Sequence, residues 1–85
     1  MSVKFLYFAW LREQTGISEE EVALPDEIST VGELIKWQRA RGPEFETAFG
    51  QDDVIRVAID QTHARPETVL AGAREIAFFP PVTGG

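Results

Sequence analysis

Residues 74–85 read Arg-Glu-Ile-Ala-Phe-Phe-Pro-Pro-Val-Thr-Gly-Gly in a chain of 85 residues. The apolar and aromatic run near the start of this stretch predicts a strand over 74–79. Pro80 and Pro81 follow at once, and because proline has no backbone N–H, the strand cannot continue as an interior strand of a sheet. The stretch therefore divides the chain into a folded domain at 1–79 and an extended tail at 80–85.

The predicted last strand is apolar on both of its faces. Side chains alternate between the two faces of a strand, so Ile76 and Phe78 share one face while Ala77 and Phe79 share the other. The N-terminal run, predicted as a strand over 3–10, has the same property. One of its faces carries Val3, Phe5 and Tyr7, and the other carries Lys4, Leu6 and Phe8.

A helix is predicted in the middle of the chain. Thr30-Val31-Gly32-Glu33 fits a capping box, in which the Thr30 hydroxyl and the Glu33 carboxylate satisfy each other's backbone N–H groups. Apolar residues then recur at helical spacing. We expect Gly42 to end this helix, because Pro43 cannot continue it, and a short helical turn to follow over 44–49.

The remaining segments predict further strands over 19–24, 54–59 and 62–64, with a turn at Asp60-Gln61 and Gly16 in the first connection. A hairpin, one main helix and further strands give an α+β fold with the helix packed on a mixed sheet of four to five strands. This is the pattern of the ubiquitin-like β-grasp fold.

One helix covers only one face of a sheet. The other face then carries Leu6, Phe8, Ala77 and Phe79, and an exposed apolar patch of this kind marks a partner-binding site. The alternative is that loops of the same chain cover these residues. We favour the partner, because a domain of this size has little chain left to cover a second face.

The tail at 80–85 combines a stiff spacer with a bare end. Pro80 and Pro81 favour extended polyproline geometry, and the β-branched Val82 and Thr83 also favour extension. Six residues of this kind span about 20 Å. Gly84 and Gly85 carry no side chain, so the end can enter a narrow channel and its carboxylate is open to activation by ATP. The alternative is an inert terminus, since chain ends are often small and disordered.

Composition excludes several other functions. The chain has no cysteine and His63 is its only histidine, which excludes disulfides, thiolate ligands and a histidine-rich metal site. The net charge of −6 argues against nucleic acid as a partner. No apolar run reaches the ~20 residues needed to cross a bilayer, and the N-terminal run does not resemble a signal peptide. We therefore expect a cytoplasmic protein that binds neither membranes nor nucleic acids.

The segment 76–85 resembles the C-terminus of the small subunits of molybdopterin synthase, and the opening 3–13 resembles the start of that family. The segments Thr30-Val31-Gly32-Glu33-Leu34 and Ala58-Ile59-Asp60-Gln61 match it more loosely, so the resemblance covers the whole chain. One departure is the turn Gly72-Ala73-Arg74-Glu75, where related chains often have Asp-Gly-Asp-Glu. This departure affects a turn and leaves the tail unchanged.

The resemblance implies a sulfur carrier with no bound cofactor and no activity on its own. In that family a ubiquitin-activating-like adenylyltransferase uses ATP to adenylate the terminal glycine, which becomes a thiocarboxylate and donates sulfur in the active site of the large subunit. The acceptor is cyclic pyranopterin monophosphate, and the product is the dithiolene that holds molybdenum. Here the sulfur-bearing residue is Gly85, and Gly84 enters the site with it. The expected partner-binding residues are Leu6, Phe8, Arg12, Phe79, Pro80, Pro81, Val82 and Thr83.

Several alternatives remain at this point. A thiazole-pathway sulfur carrier shares the fold and the Gly-Gly end, although such chains usually lack the spacer 78–83. A ubiquitin-like protein modifier and an interaction module with an inert tail are also open. Arg12 is either a plain surface charge or a partner contact, and we expect His63 to be a surface or interface residue. Trp10 and Trp37 are expected to pack in the fold, and Glu19-Glu20-Glu21 to form a solvated strand edge.

Overall fold

The computed structural model describes residues 2–50 and 54–81. These residues form five strands and three helices. In chain order the elements are β1 (Ser2–Tyr7), α1 (Ala9–Thr15), β2 (Glu19–Ala23), α2 (Val31–Arg39), α3 (Pro43–Phe49), β3 (Arg56–Ile59), β4 (Thr62–Ala64) and β5 (Glu75–Phe79). The predicted strands are all present, each within three residues of its expected bounds.

The five strands form one mixed sheet in the order β2-β1-β5-β3-β4. Strands β1 and β5 are parallel, and the other neighbouring pairs are antiparallel. The predicted α+β architecture with a mixed sheet is therefore confirmed. The last strand of the chain lies at the centre of the sheet, hydrogen-bonded to β1 on one edge and to β3 on the other.

Helix α2 begins as its sequence predicts. The Thr30 hydroxyl accepts a hydrogen bond from the Glu33 N–H at 3.3 Å, and the Glu33 carboxylate accepts from the Thr30 N–H at 3.1 Å. The expectation that Gly42 ends this helix is wrong, because α2 ends at Arg39 with Ala40 as its cap. Gly42 instead precedes α3, which starts at Pro43, where the missing proline N–H leaves no donor unsatisfied.

Helix α1 replaces the end of the strand predicted over 3–10. Strand β1 stops at Tyr7, Phe8 is still extended, and Ala9 takes a positive φ of 54° that turns the chain into the helix. Gly16, with φ 76°, ends α1, and its N–H donates to the Arg12 carbonyl at 2.8 Å. The short helical turn expected over 44–49 is confirmed as α3, and α1 is the one helix among the described residues that was not expected. Both lie with α2 on the same side of the sheet, and α1 and α3 pack on each other.

The core lies between the helices and one face of the sheet, called here the inner face. Its centre is a group of aromatic rings in edge-to-face or stacked contact, with centroids 5.2–6.4 Å apart. The rings are those of Phe5, Tyr7, Phe49 and Phe78. Leu11 from α1 and Leu34 from α2 are also fully buried, so each of these helices contributes a side chain to the same core.

A polar network closes this core beside strand β2. The Tyr7 hydroxyl donates to Glu20 at 2.6 Å and accepts from the buried Gln38 amide at 2.8 Å. The Arg41 guanidinium donates to both Glu20 oxygens, at 2.7 and 3.1 Å, and to the Gln38 carbonyl at 2.8 Å. The Arg41 Cζ atom also lies 4.3 Å from the Phe45 ring centroid. The network therefore joins β1, β2 and the end of α2.

The network fixes the ionisation of two of its members. Burial acts to raise the pKa of Glu20, but the hydrogen bonds from Arg41 and Tyr7 and the charge of Arg41 outweigh it and hold the pKa below its ordinary value. Burial, followed by the hydrogen bond to Glu20, raises the pKa of the Tyr7 hydroxyl well above its ordinary range. Glu20 is therefore an anion and Tyr7 a neutral donor at neutral pH.

We predict that Glu20→Gln lowers the free energy of unfolding by about 1–2 kcal/mol at pH 7, a value reduced for the partial solvent exposure of the pair. Because the folded-state pKa of Glu20 is lowered, its contribution is present above the ordinary glutamate pKa of 4.5 and is lost as pH falls through the folded-state pKa. Urea unfolding of wild type and Glu20→Gln at pH 7 and pH 3 measures the difference. Glu21→Gln, on the exposed side of the same strand, is the control, and an equal loss in both variants contradicts this role of the network.

Candidate functional site

The outer face of the sheet, opposite the helices, has small apolar residues at its centre. The strand registers place Leu6 beside Ala77, Ala77 beside Ala58, and Ala58 beside His63. Phe79 lies two residues along β5 from Ala77, opposite Arg56 of β3. The alternation predicted from sequence is confirmed, because Phe5, Tyr7, Ile76 and Phe78 are buried on the inner face.

The predicted patch is exposed only in part. Phe8 is 48% exposed, and Leu6 and Phe79 are half-buried. Ala77 departs from the expectation: it belongs to the outer face but is only 9% exposed. Its methyl group is short and lies between Leu6 of β1 and Ala58 of β3. The accessible apolar surface is therefore provided by Leu6, Phe8 and Phe79, with Ala77 as the floor between them.

His63 is brought to this patch by the hairpin that joins β3 and β4. Asp60 and Gln61 form a two-residue loop with φ of 49° and 71°, the positive values that a type I′ turn requires. This loop sets the register in which His63 is opposite Ala58. The His63 ring then meets the Phe79 ring edge to face, with centroids 5.5 Å apart. The expectation of a surface residue is confirmed by its exposure, whereas its contact with Phe79 was not anticipated.

Asp60 also ties this hairpin to the start of β5. Its carboxylate accepts hydrogen bonds from the N–H groups of Arg74, at 3.1 Å, and Glu75, at 2.9 Å. Its own N–H donates to the Glu75 carbonyl at 2.9 Å. The turn at 72–75 is thus held by a side chain from the neighbouring hairpin.

The other residues considered for binding have different positions. Arg12 is exposed on α1, four residues after Phe8, and α1 also contacts β5. Trp10 and Trp37 are partly buried and pack against the core, as expected. Glu19 is exposed and pairs with Lys4 at 3.5 Å. The expectation for Glu20 is wrong, because it faces the helices and is held by Arg41.

The tail begins directly after Phe79, the last residue of β5. Pro80 and Pro81 follow β5 and are each partly exposed. Val82, Thr83, Gly84 and Gly85, which the sequence assigns to partner binding and sulfur chemistry, lie outside the described residues. Within residues 2–50 and 54–81, no group of three or more His, Cys, Asp and Glu side chains is placed to hold a metal ion, and no helix is long and apolar enough to cross a membrane.

Comparison with known proteins identifies the family. A family model described as the ThiS family matches residues 5–85. The chain belongs to the ThiS family.

Curated relatives and a solved structure cover nearly all of this ThiS-family chain. It is 36% identical over 83 residues to the molybdopterin synthase sulfur carrier subunit of Escherichia coli K12, covering 98% of this chain and 99% of that protein. It is 35% identical over 80 residues to the protein of the same name from Haemophilus influenzae, covering 94% and 95%. The crystal structure of small archaeal modifier protein 1 from H. volcanii superposes with a TM-score of 0.74 at 30% identity, covering 95% and 98%. The β-grasp prediction is confirmed by this superposition.

Phe78 and Phe79 are neighbours on β5 of this ThiS-family domain, but Phe78 lies in the core and Phe79 lies on the outer face. We predict that Phe79→Asp lowers the free energy of unfolding by about 1–2 kcal/mol, since Phe79 is half-buried, whereas Phe78→Ala, at a fully buried position, costs about 3–5 kcal/mol. Urea unfolding of both variants measures the contrast. A loss for Phe79→Asp as large as that for Phe78→Ala would place Phe79 in the core.

Proposed function

We propose that this chain is the sulfur carrier subunit of a molybdopterin synthase. The observation that carries the proposal is the position of β5: the central strand contributes Phe79 to the accessible apolar face and continues directly into Pro80 and the tail. A partner that docks on this face therefore receives the tail from the adjoining end of the strand. The family and the names of the full-length relatives support this assignment.

The chemistry proposed for the tail starts at the Gly85 carboxylate, which is unreactive until one oxygen becomes part of a leaving group. An adenylyltransferase of the ubiquitin-activating type supplies ATP, and the carboxylate displaces pyrophosphate to give an acyl-adenylate. A persulfide sulfur then attacks the carbonyl carbon and displaces AMP, and a second thiol cleaves the S–S bond, leaving the thiocarboxylate on Gly85 and a disulfide on the donor. ATP is thus consumed by the partner, and this chain holds no cofactor of its own.

The final step proposed is sulfur donation in the large subunit: the thiocarboxylate sulfur forms a C–S bond to a side-chain carbon of cyclic pyranopterin monophosphate, and the oxygen substituent on that carbon leaves. Water then hydrolyses the acyl–sulfur bond, which leaves the sulfur on the pterin and a carboxylate on Gly85. A dithiolene contains two sulfur atoms and each carrier delivers one, so two loaded carriers are consumed for each product. The chain therefore acts as a stoichiometric subunit, and we place it in the cytoplasm with its partners.

Docking and reaction are assigned to different parts of the chain. Leu6, Phe8 and Phe79 form the docking patch. Arg12 is proposed to pair with a carboxylate of the partner at the edge of this patch. We assign the role of a spacer to Pro80, Pro81, Val82 and Thr83, because both prolines restrict φ and β-branched residues favour extension. Gly84 and Gly85 reach the reacting atoms. The adenylyltransferase and the large subunit use the same face in turn.

A second candidate function is that of a protein modifier, favoured by the similarity to small archaeal modifier protein 1. The activated Gly85 carbonyl would then be attacked by a lysine amine, with loss of AMP and formation of an isopeptide bond. Intact-mass measurement of the protein from its native host separates the two candidates. Replacement of one oxygen by sulfur at the C-terminus supports the carrier, and a lysine-linked adduct supports the modifier.

We predict that deletion of Gly85 abolishes formation of the thiocarboxylate and sulfur transfer, because the chain has no cysteine that could hold sulfur instead. The variant should unfold at the same urea concentration as wild type, since the deleted residue lies beyond β5. Mass spectrometry after incubation with the adenylyltransferase, ATP and a sulfur donor measures loading. Full activity in a variant with an uncleaved C-terminal extension is the result that excludes Gly85 as carrier.

We predict that Gly84→Val slows single-turnover conversion of the pterin precursor about tenfold, because a Cβ next to the reacting carbon meets the walls of a narrow channel and restricts φ. Binding to the large subunit should change little, because the docking patch is intact. The rate is measured with thiocarboxylated wild type and variant, each saturated with large subunit. Val82→Ala, which shortens a side chain of the spacer and leaves both glycines in place, is the control, and equal rates for Gly84→Val and wild type contradict a tight channel.

A further inference from the structure

His63 makes a contact that neither the core nor the proposed chemistry requires. It is exposed on β4, and its ring meets that of Phe79 with centroids 5.5 Å apart and planes at 80°. Phe79 is only half-buried and is the last residue of β5. A half-buried phenylalanine at the end of a strand has more than one accessible rotamer unless its neighbours restrict it.

The contact depends on a small residue between the two strands. His63 and Phe79 belong to β4 and β5, which are separated by β3, so their side chains must approach each other across the outer face. Ala58 of β3 is directly opposite His63 on one side and Ala77 on the other. Because the Ala58 side chain is a single methyl group, it leaves room for the two rings to meet above it.

We propose that His63 is a positioning residue that holds the Phe79 ring in the orientation that the partner meets. Its action on docking goes through Phe79 and requires no contact of its own with the partner. The inference rests on the proposed function, since it concerns docking of the large subunit on this face. It adds β4 to the elements that shape the docking patch.

Preorganisation of the Phe79 side chain affects the affinity for the large subunit and does not change the rate of sulfur transfer. A side chain that is already restricted before binding loses less conformational freedom on docking. The free-energy effects of one aromatic pair and of one immobilised side chain are both small. We therefore expect His63→Ala to weaken binding of the large subunit about three- to tenfold. At saturating large subunit, the single-turnover rate should equal that of wild type, in contrast to Gly84→Val.

The experiment uses the full chain and the large subunit from the same organism. Dissociation constants are measured by calorimetry for wild type, His63→Ala, His63→Phe, Phe79→Ala and the double variant His63→Ala/Phe79→Ala. Thr62→Ala, an exposed change on the same strand directed to the other face, is the control. In the free protein, three-bond couplings of Phe79 report its χ1 populations.

The expected results separate an indirect role from a direct one. His63→Phe should restore affinity, because a ring replaces a ring, and His63→Ala should have no effect once Phe79 is already alanine. The χ1 populations of Phe79 should broaden in His63→Ala and stay narrow in His63→Phe. A loss that persists in the Phe79→Ala background, or that His63→Phe fails to restore, means that His63 contacts the partner directly and overturns the proposal.

The same measurements distinguish failure of this inference from failure of the proposed function. If wild type and His63→Ala bind the large subunit with equal affinity, the positioning role alone is overturned. Wild type that shows no binding to the large subunit overturns the proposed function and, with it, the role of His63 in that docking.

Discussion

Backbone hydrogen bonds along both edges of β5 hold this strand between β1 and β3, and the other features of the molecule depend on that position. Because its side chains alternate, Ile76 and Phe78 enter the core while Ala77 and Phe79 form part of the outer face. The same four residues thus serve stability on one side and the proposed docking on the other. The tail leaves from the end of this strand, so its first residues adjoin the apolar patch.

Stability and docking are separated in space within one small domain. The aromatic core and the Tyr7–Glu20–Gln38–Arg41 network lie on the helix side of the sheet, and the network seals the edge near β2. The outer face has no helix on it among the described residues. Under the proposed function, we therefore expect changes to Leu6, Phe8 or Phe79 to alter partner binding with limited effect on folding.

Much of the fold was predictable because its signals are local. The capping box at Thr30, the turn at Asp60-Gln61 and the two apolar faces of β5 each depend on a few adjacent residues. Helix α1 was missed because Ala9 and Trp10 continue the apolar run of β1 and because Phe8 provides no side-chain cap. The helix-forming run after Ala9, followed by Gly16, was the available signal. The residue with positive φ at this junction, Ala9 with φ 54°, is not a glycine, so the sequence does not indicate the turn.

The contacts that sequence reasoning missed are those that need register between distant strands. The two-residue loop places His63 opposite Ala58 by counting alone, but its contact with Phe79 also requires the pairing of β3 with β5. In the same way, Glu20 was read as a solvated edge residue because Arg41 is far from it in sequence. The terminal residues 82–85 were interpreted from their chemistry and remain predictions.

The parallel pairing of β1 and β5 has a mechanical consequence for the response of the domain to a force on its C-terminal end. A pull on the tail acts along β5, parallel to the strand axis and across its hydrogen bonds to β1, from Lys4–Glu75 to Tyr7–Phe78. Such a load shears the bonds together, whereas a pull at right angles to the strand would peel them away one at a time. The pairing of β5 thus makes the domain resistant to a force applied at the end of this strand, and under the proposed function the sheet would stay intact while a partner holds the tail.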